Sequence, residues 1–127
     1  MVPYLAPSDK LQEFKENGAT VLRNVLSPSE LQLLKRGIKY NLAHLSPLAG
    51  VASSNSDPGM FIEEFCTWTR IPEYESILKD SFLPLVAFRL IESRKVRIYH
   101  DHLLVKEPDA TLSIKINPST IFLDPRP

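Results

Sequence analysis

Residues 27–45, SPSELQLLKRGIKYNLAHL, constrain the fold of this chain more than any other stretch. A capping serine and a first-turn proline open the segment, and Leu31, Leu34, Ile38, Leu42 and Leu45 then recur along one helical stripe. A helix with a single apolar stripe must bury it against a second layer, so the rest of the sequence has to supply one.

The flanking segments offer that layer. PSDKLQEFKENG predicts a short helix with Ser8 as N-cap, Leu11 and Phe14 at helical spacing and Gly18 as its stop. ATVLRNVL, with Thr20, Val21, Leu22 and Val25, predicts a strand. Residues 46–59, SPLAGVASSNSDPG, are small, polar and turn-forming, which predicts a surface loop. MFIEEFCTWTRI suits an extended segment, PEYESILKDS a short helix opened by proline, and FLPLVAFRLI an apolar helix with Pro84 in its first turn. The alternation in KVRIYHDHLLVKEP predicts a long strand. With no repeat and no dividing linker, the expectation is one α+β domain, helices first and strands afterwards.

Fifteen basic and fifteen acidic residues cancel, which leaves no overall charge to recruit nucleic acid, an anionic membrane or an acidic polymer. No apolar run is long enough to span a bilayer. A single cysteine, Cys66, and an N-terminus without the basic-then-apolar order of a leader suit a reducing, cytoplasmic setting.

YHDHLLVKEP, residues 99–108, gathers two of the three histidines. On a strand Val96, Ile98, His100, His102 and Leu104 share one face, and Arg97, Tyr99, Asp101, Leu103 and Val105 the other. His-x-His can present two imidazoles to one metal, with Glu63 or Glu64 as a carboxylate ligand; equally, the two rings can be hydrogen-bonded histidines in a half-polar cavity. Lys106 and Glu107 suit solvated strand-end charges, and Cys66 and Trp68 suit packing. No arrangement here resembles a serine or cysteine hydrolase.

Taken in order, FKENGATVLRNVLSPSELQLLKRGI, TWTRIPEYESILKDSFLPLVAFRLI and VRIYHDHLLVKEPDAT resemble the N-terminal part of the phytanoyl-CoA dioxygenase family, over residues 11–111. The most specific elements are the F-x-x-x-G helix end followed by VLRNVLS, and the strand ending in KEP. The resemblance implies the helices and first strands of a double-stranded β-helix, a jelly-roll-like fold, here truncated. It also implies iron(II) and 2-oxoglutarate as cofactors, a 2-His-1-carboxylate iron site and oxidation of a small organic substrate. His102 matches a position that approaches 2-oxoglutarate in that family.

The family's first two iron ligands form an H-x-D motif shortly after the proline matched by Pro108. In this chain Ser46, His102 and Leu104 follow two residues after its three histidines, so no H-x-D occurs. The expectation is therefore residues 1–111 as part of a dioxygenase domain and 112–127 as a divergent tail, with no metal ligands, no catalytic residue and no cofactor bound by the chain itself. One codon choice for SIKINPSTI, TCC ATC AAG ATC AAC CCT TCT ACT ATT, reads H-Q-D-Q-P-F-Y-Y from the last base of the first codon. A frameshift, a mis-set splice junction or a pseudogene-like lesion near Thr111 would give such a tail. Apolar faces and strand edges would then stand open, and association with an intact homologue becomes a second expectation.

Overall fold

The structure, a computed structural model, describes residues 5–108. Over these residues the chain is a small α+β domain with four helices and one three-stranded antiparallel sheet. The order is α1 (Ser8–Asn17), α2 (Pro28–Ala43), β1 (Gly50–Val51), β2 (Phe61–Phe65), α3 (Pro72–Asp80), α4 (Leu83–Ile91) and β3 (His102–Lys106). Helices and strands thus interleave, in place of the expected helices-then-strands order. The tail expected over 112–127 lies outside the described residues.

Helix α1 stops at Gly18, whose φ of 70° lets its N–H reach the Phe14 carbonyl at 2.8 Å. Its start differs from expectation. Pro7, not Ser8, is the N-cap, because the Pro7 carbonyl already accepts the N–H groups of Lys10 and Leu11. Glu13 receives hydrogen bonds from Lys10 and Thr20, in that order of effect, and its carboxyl is held below the usual range.

No strand forms over residues 19–26. Among the described residues no neighbouring strand lies there to share a ladder, and Asn24 takes a φ of 58°, which breaks an extended run. Leu26 is nevertheless buried and anchors the entry to α2. There Ser27 and Glu30 close a reciprocal capping box, with Pro28 at the first helical position.

The leucine stripe of α2 is half-buried, and Leu45, beyond the helix end, is exposed. The positions most enclosed are Gly37 and Asn41, one turn apart. A Cβ on Gly37 would lie 2.9 Å from Glu73 Cβ and from Tyr74 Cε1, so only glycine allows α2 and α3 this close. Ile71, Tyr74 and Ile77 form the α3 side of the core, with Val86 from α4 and Phe61 and Ile62 from β2. Helix α4 lies between α3 and α1, and the Lys15–Glu92 ion pair, 2.6 Å, ties its end to α1.

Strand β2 is the middle of the sheet. The short β1 forms inside the predicted loop by pairing Gly50 with Glu63 and Val51 with Ile62. On the other side Phe61 through Phe65 pair in reverse with Lys106 through His102. The ladder continues to Asp101, whose carbonyl accepts the Cys66 N–H at 3.0 Å. Cys66 then turns with a φ of 54°. That turn withdraws the neighbour that residues 95–100 would need, so the predicted long strand is a strand only from His102.

Candidate functional site

Alternation along the sheet sorts the candidate residues into two sets. Ile62, Glu64, Leu103 and Val105 share one face, and Phe61, Glu63, Phe65, His102, Leu104 and Lys106 share the other. Glu64 is wholly buried, where its carboxylate accepts the Ser46 N–H at 3.0 Å and also the Ser46 hydroxyl. It is therefore spent on the loop that leaves α2, on the face away from His102.

His102 is exposed, with its ring stacked on Phe65 at a centroid distance of 4.0 Å. His100 precedes the strand and lies edge-on to Tyr99 at 4.9 Å. The two imidazoles are thus held by different aromatic rings and do not share a strand face. No group of three His, Cys, Asp or Glu side chains among the described residues is placed to hold a metal ion. These donors do not fit the iron triad that the family resemblance implies, nor the alternative set of His100, His102 and a glutamate.

Cys66 and Glu107 differ from their sequence expectation. Cys66 is exposed, because the left-handed turn that ends β2 carries its side chain out of the core. Glu107 is more than a solvated charge, since its carboxylate accepts the Met60 N–H at 2.9 Å. Trp68 is half-buried beneath the Lys79 ammonium, 5.3 Å from its ring centroid.

The densest polar constellation is one that strand alternation does not indicate. Asp101 accepts the Thr67 N–H, the Thr67 hydroxyl and the Trp68 N–H at 3.1, 2.9 and 3.1 Å. Asn41, fully buried, donates to the Thr67 hydroxyl and to the Tyr74 hydroxyl, each at 3.4 Å. Arg70 donates to the Asn41 side-chain carbonyl at 3.2 Å and to the His44 carbonyl at 3.0 Å. No buried side-chain nitrogen or oxygen among the described residues lacks a partner, so the cluster fastens the end of α2, the entry to α3 and the start of β3 to one another. A shallow depression of about 390 Å³ beside it is lined by Tyr40, Arg70, Pro72 and Glu73.

Burial pushes the Tyr74 phenol above its ordinary value of 10.0, against the smaller lowering effect of the Asn41 hydrogen bond. The neutral phenol is favoured in the folded state, so its contribution is complete below about pH 10 and is lost as pH rises through the folded-state value. Denaturant midpoints measured across that alkaline range should fall more steeply for the wild type than for Tyr74→Phe. Equal slopes would contradict the assignment.

Among the described residues no helix is long and apolar enough to cross a membrane. Searches against protein-family models, curated proteins and solved structures return no match for this chain.

Proposed function

We propose that this chain is the N-terminal portion of an iron(II)- and 2-oxoglutarate-dependent oxygenase of the phytanoyl-CoA dioxygenase type, catalytically silent in the form given by its sequence. One observation carries the proposal: three segments resembling that family occur in order over residues 11–111, yet no histidine is followed two residues later by aspartate. The jelly-roll affiliation and the truncation belong to the same proposal. Exposed apolar side chains on α4, Leu85, Phe88 and Ile91, support a domain patterned to pack against more protein. His102 supports it as well, as an exposed imidazole on the sheet face opposite Glu64, suited to line a cosubstrate pocket.

No group of three candidate donors comes together among the described residues, so no chemical step is assigned to this chain. The expected result is no succinate from 2-oxoglutarate when the purified chain is supplied with ferrous ion, oxygen and reductant. The locus, sequenced across codons 110–127, should carry H-Q-D in the neighbouring frame. Oxygen uptake matched by a hydroxylated product, or a neighbouring frame without that motif, would refute the proposal.

A second reading, a non-catalytic binding or regulatory module that pairs with an intact homologue, is favoured by one specific feature. Strand β3 is an edge strand with one side open among the described residues.

A further inference from the structure

The open side of β3 has a definite chemistry. The Cys66 N–H to Asp101 carbonyl bond and the Glu107 N–H to Met60 carbonyl bond fix the phase of the ladder with β2. Asp101, Leu103, Val105 and Glu107 therefore turn their backbone groups toward β2, while His102, Leu104 and Lys106 turn theirs outward. Among the described residues those outward N–H and C=O groups meet no partner. Residues 94–100 lead into this edge, all exposed and with the period-two sequence pattern of a strand, but with no neighbouring strand among the described residues; Tyr99 is 93% exposed.

Charge along this strip is lopsided although the whole chain is balanced. Arg94, Lys95, Arg97 and Lys106 have no carboxylate within ion-pair distance among the described residues. The one acid between them, Asp101, is occupied by Thr67 and Trp68. Val96, Ile98 and Leu104 add apolar side chains at alternating places.

We propose that the outer edge of β3, continued by residues 94–100, accepts an extended acidic peptide segment of a partner chain as a fourth strand. Carboxylates of that segment meet Lys95 and Arg97 on one face, and its aliphatic residues meet Val96, Ile98 and Leu104 on the other, with Arg94 and Lys106 at the two ends of that second face. A nucleic acid satisfies the edge less well. Its phosphates only accept hydrogen bonds, whereas the outward carbonyls of His102, Leu104 and Lys106 need donors at strand spacing. A second copy is also a poor match. Antiparallel pairing of β3 with itself about Leu104 sets Asp101 against Glu107, carboxylate beside carboxylate. The acidic-strand partner is independent of the oxygenase proposal, since it draws on no iron or cosubstrate residue except the backbone of His102.

The probe is a fluorescein-labelled peptide of alternating glutamate and aliphatic residues, titrated against the intact chain by fluorescence anisotropy. Saturable, salt-weakened binding is expected, with new hydrogen-exchange protection at the Leu104 and Lys106 amides. Leu104→Pro removes an outward N–H that the ladder with β2 does not use, as an edge strand tolerates, and should weaken binding about tenfold or more. Should that variant lose its far-UV circular dichroism, the exposed double variant Lys95→Glu, Arg97→Glu supplies the decisive measurement, with a loss of similar size expected. Wild-type affinity in a folded variant would overturn the proposal. So would equal binding of the lysine version of the peptide or of a thymidine oligonucleotide, protection of the Leu104 amide before peptide is added, or self-association through this edge in sedimentation.

Discussion

Asp101→Ala is expected to destabilise the domain by about 3 kcal/mol, because charge-assisted hydrogen bonds are lost and the donors they served stay desolvated. Those donors are the Thr67 N–H, the Thr67 hydroxyl and the Trp68 N–H, and Thr67 is only 1% exposed. At this chain length the loss corresponds to a fall in Tm of roughly 10 °C. Asp101→Asn keeps one side-chain acceptor and should recover part of it. Differential scanning calorimetry on the three proteins decides the matter: an alanine variant within a degree or so of wild type would show that the clamp is not needed.

The second large effect is expected at Ile71. This side chain is 0% exposed, and its carbonyl opens α3 by accepting the N–H groups of Tyr74 and Glu75. Truncation to alanine leaves the backbone role intact and removes only packed volume, at a cost of about 4 kcal/mol from lost transfer energy and the cavity left behind. Urea denaturation should show a lower midpoint with an unchanged slope. A midpoint near wild type would mean that α2, α3 and β2 close over the gap.

The elements that can be read locally were legible in the sequence. Pro28, Pro72 and Pro84 mark helix starts, Gly18 marks a stop, and each of these positions keeps that role in the structure. What failed depends on neighbours that local pattern does not contain. Val21 and Val25 favour a strand in isolation, but a strand needs a ladder, and among the described residues none reaches residues 19–26. The same condition divides the histidine segment: His102 faces Phe65 and is sheet, while His100 lies beyond the turn at Cys66 and is not.

The polar cluster was less legible still. Asn41 falls on the apolar stripe of α2 as an apparent exception, and Asp101 falls between two histidines that draw attention away from it. Their joint role rests on contacts between residues 26 and 34 positions apart, Asn41 with Thr67 and Thr67 with Asp101, which no local spacing reveals. The buried glutamate is similar. In the sequence Glu64 stands beside Glu63 as a candidate carboxylate ligand, and only the return of the chain at Ser46 gives its carboxylate a partner.

The grip on Asp101 also sets a mechanical boundary. Its carbonyl holds Cys66 and its carboxylate holds Thr67 and Trp68, so a tug applied to residues 94–100 is delivered through this one residue to the mouth of α3. A visitor seated along that stretch would be felt first at Thr67, and through it at Asn41 of α2 and at Ile71 where α3 begins, which makes the aspartate a fulcrum between the outer strip and the interior.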